Sequence, residues 1–201
     1  MRLSKDLLDK PIITISDGRI VGQVKDLLLT ADLKTMAGVH LGREGFLKRR
    51  GKLIPSQSVV VFGIDAVLIK NAEAVVDERE VKDSADWIRL GKLLGREVDT
   101  QGGTRVGTIG DVLLDEEGHI TGFALSRVYV EGPISEKRLI THAALIDTGN
   151  EDGIMTIHMA VAEGLEPPAP ASEPPAAEPP TMSDAPAAEP HKLAPPEASH
   201  S

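Results

Sequence analysis

Cysteine is absent from this 201-residue chain, and aromatic residues are scarce, with one Trp, one Tyr and three Phe. Without cysteine there can be no disulfide framework, no thiolate nucleophile and no cysteine-ligated zinc or iron–sulfur centre. The shortage of aromatic rings also leaves few side chains on which single-stranded bases could stack. The composition therefore excludes cysteine-based chemistry and argues against a dedicated RNA-binding surface.

Long apolar runs are also missing. A run such as Val59–Phe62 is far shorter than the roughly 20 residues of a membrane-spanning helix. The N-terminus has no apolar segment followed by a small-residue cleavage site, as a secretory signal would. The 31 acidic residues outnumber the 22 basic ones and give a net charge of −9, which disfavours general binding to phosphate backbones. We expect a cytoplasmic protein, with peripheral attachment to a membrane as an open alternative.

Proline is concentrated at the C-terminal end. Residues 164–201 hold 11 of the 14 prolines, together with six acidic residues and a single lysine, Lys192. A segment of this composition cannot bury enough apolar surface to fold. We predict a disordered, acidic, Pro/Ala-rich tail over residues 164–201, acting as a solubilising extension or spacer.

The rest of the chain is an internal repeat of one sequence pattern, present in two copies. The offset is 84 to 86 positions, and the matched pairs include Leu7 and Leu93, Ile12 and Val98, Gly22 and Gly107, Asp26 and Asp111, Gly38 and Gly122, and Ile54 and Ile140. The sequence therefore predicts two homologous domains, copy 1 (residues 1–76) and copy 2 (residues 88–163). A charge-rich linker, residues 77–87, joins them.

Each copy has the pattern of a β-meander. Short apolar runs alternate with turn residues about every ten positions, and no amphipathic helical stretch is longer than two turns. Asp17-Gly18 and Gly102-Gly103 occupy equivalent places and indicate hairpin turns that need positive φ. The fold class predicted is all-β, with two small, closed or nearly closed barrels, since closure removes the exposed edges of such small sheets.

Several segments resemble the PRC-barrel domain. They are GRIVGQVKDLL (residues 18–28), KLIP (residues 52–55) and FGIDAV (residues 62–67) in copy 1, and GTRVGTIGDVLL (residues 103–114) in copy 2. Similar domains occur in the cytoplasmic part of the photosynthetic reaction-centre H subunit and at the C-terminus of ribosome-maturation proteins. The resemblance implies a small β-barrel that binds other macromolecules, and it implies no particular chemistry.

Four positions in the repeated pattern, and Trp87 in the linker, have candidate structural roles. Asp26 and Asp111 lie on strands with no second acid or base beside them, so we interpret each as a carboxylate that accepts backbone N–H groups at a turn or bulge; a catalytic role is the alternative. Gly22 and Gly107 belong to the same element. Trp87, just before copy 2, is predicted to cover a barrel end or the seam between the copies, with an exposed partner-binding role as the alternative.

One basic segment stands out against the acidic background. Its cations are Arg43, Lys48, Arg49, Arg50 and Lys52, and they surround the apolar pair Phe46 and Leu47. Such a hairpin tip suits an acidic protein surface, an anionic membrane or RNA phosphates. A solvated loop without a partner is the other interpretation.

These observations together predict a non-enzymatic interaction or scaffold module whose two barrels pack as a pseudo-dimer. We expect no cofactor and no metal, because no histidine and acid set recurs at ligand spacing in both copies. The expected partner is another protein. Two alternatives stay open: an RNA-linked role like that of ribosome-maturation proteins, and a peripheral role in a photosynthetic or other membrane complex.

Overall fold

The computed structural model describes residues 1–44, 50–150 and 153–164, and of residues 43, 44 and 50 only the backbone. The predicted tail, residues 164–201, lies outside the described residues except for Gly164. Both copies belong to one compact unit, Met1–Pro168. None of the helices in the described ranges is long and apolar enough to cross a membrane.

Strands dominate both copies, separated by short helical turns. In the first half they are β1 (Arg2–Leu3), β2 (Pro11–Thr14), β3 (Ile20–Gln23), β4 (Asp26–Leu29), β5 (Met36–Glu44), β6 (Arg50–Pro55), β7 (Val59–Phe62), β8 (Val67–Ile69) and β9 (Val76–Asp77). In the second half they are β10 (Ile88–Arg89), β11 (Glu97–Thr100), β12 (Arg105–Leu114), β13 (Ile120–Val128), β14 (Leu139–Thr141), β15 (Leu145–Asp147) and β16 (Met155–Ile157). The α-helices are α1 (Leu90–Leu93), α2 (Pro133–Lys137) and α3 (Met159–Glu163), and the 3-10 turns are Ser4–Leu7, Ser56–Ser58, Ala72–Ala74, Glu78–Glu80, Ser84–Asp86 and His142–Ala144.

The same pairing scheme builds both copies. Turns that contain glycine connect the strands of the hairpins β2–β3 and β11–β12. Gly18 and Gly103 in these turns have φ of 68° and 79°. Glycine adopts such angles without the steric cost of a Cβ atom. Strand β8 returns parallel to β2 in copy 1, and β16 returns parallel to β11 in copy 2, with Ile12 opposite Val67 and Val98 opposite Met155. Repetition in the sequence is therefore repetition in the topology.

The all-β class is confirmed, but of the closed or nearly closed barrels predicted, closed ones are not formed by the described residues. Copy 1 contributes to two sheets, β10-β4-β5-β6-β9 and β3-β2-β8-β7, whereas copy 2 forms one sheet, β14-β13-β12-β11-β16-β15, with β1 added to β12. In copy 1 the chain changes sheets at Val24 and Lys25, because the Val24 N–H donates to the Lys10 carbonyl and the Lys25 N–H to the His40 carbonyl. Strand β12 passes the equivalent point unbroken, with register shifts on both sides of Ile109.

The short strand at the start of each copy pairs with the other copy. Strand β1 lies antiparallel to β12, with Arg2 opposite Leu114, and β10 lies antiparallel to β4, with Ile88 opposite Leu29. These two pairs occupy equivalent places in the repeat. We call residues 2–7 and residues 88–93 the two arms. Each arm pairs with the opposite copy. This is the reciprocal arrangement of an isologous contact, in which the same element of each partner binds the other partner.

A second reciprocal contact joins the two hairpin turns that follow β4 and β12. Thr35 and His119 form an antiparallel bridge. On either side of it the Met36 N–H donates to the Gly118 carbonyl and the Ile120 N–H donates to the Lys34 carbonyl, each over 2.8 Å. Because the repeat offset maps one of these bonds onto the other, an approximate two-fold axis runs between Thr35 and His119.

The hydrophobic core is continuous across the two copies. Its main cluster includes Leu7 and Val39 from copy 1 and Val112 and Phe123 from copy 2, all at most 1 % exposed. Leu7 belongs to the first arm, so the arm contributes to this shared interior as well as to the sheet. A smaller cluster of Leu28, Ala37 and Leu53 lies outside it.

Candidate functional site

The two aspartates of the repeated pattern hold the exchanged arms. Asp111 is 5 % exposed. Its Oδ1 accepts hydrogen bonds from the Ser4 hydroxyl (2.5 Å), from the Lys5 N–H (3.3 Å) and from the N–H of the next residue, Val112 (2.8 Å). A carboxylate with several N–H and O–H donors is well suited to fixing a backbone turn. The donors Ser4 and Lys5 belong to the arm of copy 1, so this contact crosses between the copies.

Asp26 occupies the equivalent place in copy 1 with weaker contacts. Its Oδ1 accepts from the Leu27 N–H over 2.9 Å and from the Gly91 N–H, in the second arm, over 3.4 Å. Leu90 stands where the first arm has Ser4, so no hydroxyl reaches Asp26 from that position. The sequence indicated backbone N–H partners for both aspartates, but it did not show that these partners come from the opposite copy.

The paired glycines lie where strands approach closely. A Cβ atom on Gly107 would come within 2.3 Å of the Arg127 carbonyl oxygen, which belongs to the backbone of β13. On Gly22 it would come within 3.0 Å of Leu41 Cδ2, the end of a flexible side chain. The steric demand at the two equivalent positions is therefore unequal.

Trp87 packs against side chains of β4, β5 and β6. It is half-buried against the cluster of Leu28, Ala37 and Leu53. It also lines a groove of about 340 Å³ together with Ala31 and Asn150, residues of copy 1 and copy 2 respectively. The indole thus lies beside both copies and keeps part of its surface in solvent.

The basic segment begins within a long hairpin. Strands β5 and β6 pair as far as Arg43 opposite Gly51 and Glu44 opposite Arg50. Lys52 pairs with Gly42 on one side and with Asp77 of β9 on the other. Phe46, Leu47, Lys48 and Arg49 lie outside the described residues. The backbone therefore brings Arg43, Arg50 and Lys52 to one end of one hairpin.

The corresponding hairpin of copy 2 has a shorter ladder. Strands β13 and β14 pair only from Gly122 opposite Thr141 to Ala124 opposite Leu139, and α2 interrupts the connection between them. The connection carries Glu131 and Glu136 as well as Lys137 and Arg138. Copy 1 thus differs from copy 2 both in the reach of this hairpin and in its charge.

Two histidines have polar surroundings that could support chemistry. His40, only 4 % exposed, accepts a hydrogen bond from the Gly42 N–H at Nδ1 (3.0 Å), and its Nε2 lies 3.9 Å from Glu78 Oε2. Glu78 in turn forms an ion pair with Arg89 over 2.7 Å. This network ties the β5–β6 hairpin to the segment that leads into copy 2.

The second histidine belongs to a group that could hold a metal ion. One ligand atom from each of Asp115, Glu117 and His119 lies within 4.8 Å of the others. The turn itself explains this geometry, because Asp115 Oδ1 accepts the N–H groups of Glu117 and His119 at 2.9 and 2.8 Å. Desolvation raises the pKa of Asp115, but these hydrogen bonds and that of the His119 ring outweigh it and place the pKa below its ordinary 3.8. Such a turn is common without a metal.

The sequence pattern alone indicates no role for β7, although one of its exposed residues differs in kind from the counterpart in β15. Val60 and Val61 are among the exposed large hydrophobic residues. The equivalent positions in β15 are Ile146 and Asp147. This difference was visible in the sequence, but its meaning depends on knowing that β7 is an edge strand.

Comparison with protein families found one match, repeated within the chain. The model for the PRC-barrel domain matches residues 1–76 and again residues 86–155. A comparison with curated proteins found no match. Since the two matches cover most of the chain and coincide with the two copies that share one topology, the chain belongs to the PRC-barrel family and carries two tandem copies of its domain.

Proposed function

We propose that this chain is a non-enzymatic interaction module that binds an acidic surface of a partner protein through the end of the β5–β6 hairpin. Membership of the PRC-barrel family suggests a protein-interaction module in general. The observation that carries the specific proposal is the ladder that extends to Glu44 opposite Arg50, with Arg43 and Lys52 in the same strands. A paired ladder fixes the backbone of these residues, and so lowers the entropy cost of binding.

Charge supports the choice of an acidic partner. Five cations lie within residues 43–52, whereas the whole chain carries a net charge of −9. A local basic patch on an acidic protein attracts an acidic surface in a defined orientation, because the rest of the molecule repels it. The reciprocal arms and shared core would hold this patch on a rigid body.

The test compares two variants of equal charge change in the full chain. Lys48→Glu with Arg49→Glu reverses two charges of the basic segment, and Arg127→Glu with Lys137→Glu reverses two exposed charges in copy 2. Each protein is used to capture partners from native lysate, and the captured proteins are identified by mass spectrometry at low and high salt. We expect proteins that bind the wild type and the copy 2 variant but not the hairpin variant, and salt should weaken their binding.

Other outcomes would contradict the proposal. If both variants lose the same proteins, the hairpin has no special role. If capture depends on intact RNA, or if the hairpin variant instead loses binding to anionic vesicles, the ligand is a polyanion or a membrane surface and not an acidic protein.

A further inference from the structure

Strand β7 forms one edge of its sheet, carries no charged residue and has a register shift between Val59 and Val61 in its pairing with β8. It is the last strand in the order β3-β2-β8-β7, so one side of it has no neighbouring strand among the described residues. Val60 is 55 % exposed and Val61 45 % exposed, and Ile64, two residues beyond the strand, is 86 % exposed. An edge with β-branched, apolar side chains is a template for the addition of another strand.

Residues of β7 line a groove together with acidic residues. This groove, of about 400 Å³, is lined by Val59, Val60 and Val61 and by Glu116 and Glu117. Both glutamates are exposed and belong to the turn between β12 and β13. Copy 1 therefore lines this groove with apolar residues, and copy 2 lines it with Glu116 and Glu117, which we call its acidic wall.

Arg2 sets one end of the available edge. Its guanidinium donates a hydrogen bond to the Phe62 carbonyl, and it also lines the groove. An added strand would therefore pair with Val59–Val61 and stop before Phe62. Its charged side chains would meet two glutamates and one arginine, a net negative wall.

The equivalent edge in copy 2 is protected. Strand β15 also ends its sheet, but Asp147 takes the place of Val61. A charge on an edge strand prevents pairing with another strand, and natural sheets use this device widely. The two copies share one topology, so the lack of such a charge on β7 does not follow from the fold.

We propose that β7 binds an extended segment of a partner protein as an added antiparallel or parallel strand, and that this segment carries lysine or arginine between apolar residues. The apolar residues cover Val60 and Val61, and the cations face Glu116 and Glu117. A second copy of this chain fits less well, because pairing two β7 edges would bring two acidic walls to one interface. This surface is separate from the β5–β6 hairpin, and the inference does not depend on the function proposed above.

The test uses synthetic peptides and the full chain. One short peptide alternates valine with lysine, a second alternates valine with glutamate, and a third is the lysine peptide with N-methylated backbone amides. Binding is measured by fluorescence anisotropy, and the site by the amide chemical shifts of the ¹⁵N-labelled protein. Val60→Asp places a charge on the β7 edge, and Ile146→Asp, at the equivalent exposed position of β15, is its matched control. Glu116→Lys with Glu117→Lys reverses the acidic wall.

We expect only the lysine peptide to bind, with shifts at Val60 and Val61. Val60→Asp should weaken binding by roughly tenfold or more, since it removes cross-strand contacts, while Ile146→Asp leaves it unchanged. The reversed wall should prefer the glutamate peptide, and N-methylation should abolish binding. Absence of binding by the lysine peptide, equal binding by the methylated peptide, or equal loss in Val60→Asp and Ile146→Asp would overturn the proposal. A dimer of the wild type that Val60→Asp dissociates would identify a second copy as the occupant and also overturn it.

Discussion

At the scale of single residues, Asp111 and Asp26 occupy equivalent positions in the two copies but contribute unequally to the stability of the protein. Asp111 is buried and accepts three hydrogen bonds, one of them from the Ser4 hydroxyl, whereas Asp26 is only half-buried and lacks that donor. Removing a buried acceptor leaves its donors without partners, which costs more than the bond itself contributes. The stability of the protein should therefore depend far more on Asp111 than on Asp26.

We predict that Asp111→Ala lowers the free energy of unfolding by about 2–3 kcal/mol and Asp26→Ala by about 1 kcal/mol. Urea denaturation of the full chain, followed by circular dichroism, measures both. The double variant Ser4→Ala with Asp111→Ala should lose less than the two single variants added together, because they share one hydrogen bond. Equal losses for the two aspartates would contradict this account.

The residue pattern predicts part of this arrangement. An aspartate next to a bulge, without a second acid or base on its strand, indicates a carboxylate that binds backbone N–H groups. The register shift beside Asp111 fits that description. What the pattern could not supply is the identity of the donors, because Lys5 lies more than a hundred positions away and only the tertiary fold brings it to Asp111.

At the scale of strands, there is a physical cause for the sheets not closing into barrels. We expected closure because it removes edges from a small sheet, but the protein covers edges with added strands instead. The arm β1 covers part of β12, the arm β10 covers β4, and β9 covers β6. Such additions come from outside the meander of each copy, and a pattern read within one copy cannot show them.

Glycine at equivalent strand positions provides a second prediction. A Cβ atom on Gly107 would meet the Arg127 carbonyl oxygen at 2.3 Å, so β12 or β13 would have to move. On Gly22 it would meet only the end of the Leu41 side chain, at 3.0 Å, which a rotamer change can relieve. We expect Gly107→Ala to cost about 3 kcal/mol and Gly22→Ala about 1 kcal/mol or less, as for overpacking with and without backbone movement.

Denaturation midpoints of the two variants, measured in the same urea series, test this difference. Gly18→Ala serves as a control, because a Cβ there meets nothing within 4 Å and any cost arises from its φ of 68° alone. If Gly22→Ala proved as damaging as Gly107→Ala, then close approach of strands would not be what distinguishes the two copies at this position.

At the scale of the whole molecule, the duplicated sequence predicted two related halves, and the structure adds how they combine. The arms are exchanged, the turns pair about Thr35 and His119, and the main core draws on both copies. The linear order of the sequence predicts copies joined by a linker, since nothing in a repeat shows whether its first strand pairs within its own copy or with the other. Only long-range pairing distinguishes those alternatives.

This arrangement makes covalent continuity between the copies dispensable once the protein has folded. We predict that a protease site inserted between Lys82 and Asp83, both exposed, can be cleaved without separating the halves. Arms and core would hold them together, because separation would expose the buried Leu7 and Leu90 and break the bonds of Ser4 and Lys5 to Asp111. After cleavage, size-exclusion chromatography should show one species at the original volume, and two fragments should appear only in denaturant. Deletion of residues 1–7, which removes the first arm, should allow the cleaved halves to separate. If the cleaved wild-type chain itself separated in buffer, the reciprocal contacts would be too weak to join the two domains into one body.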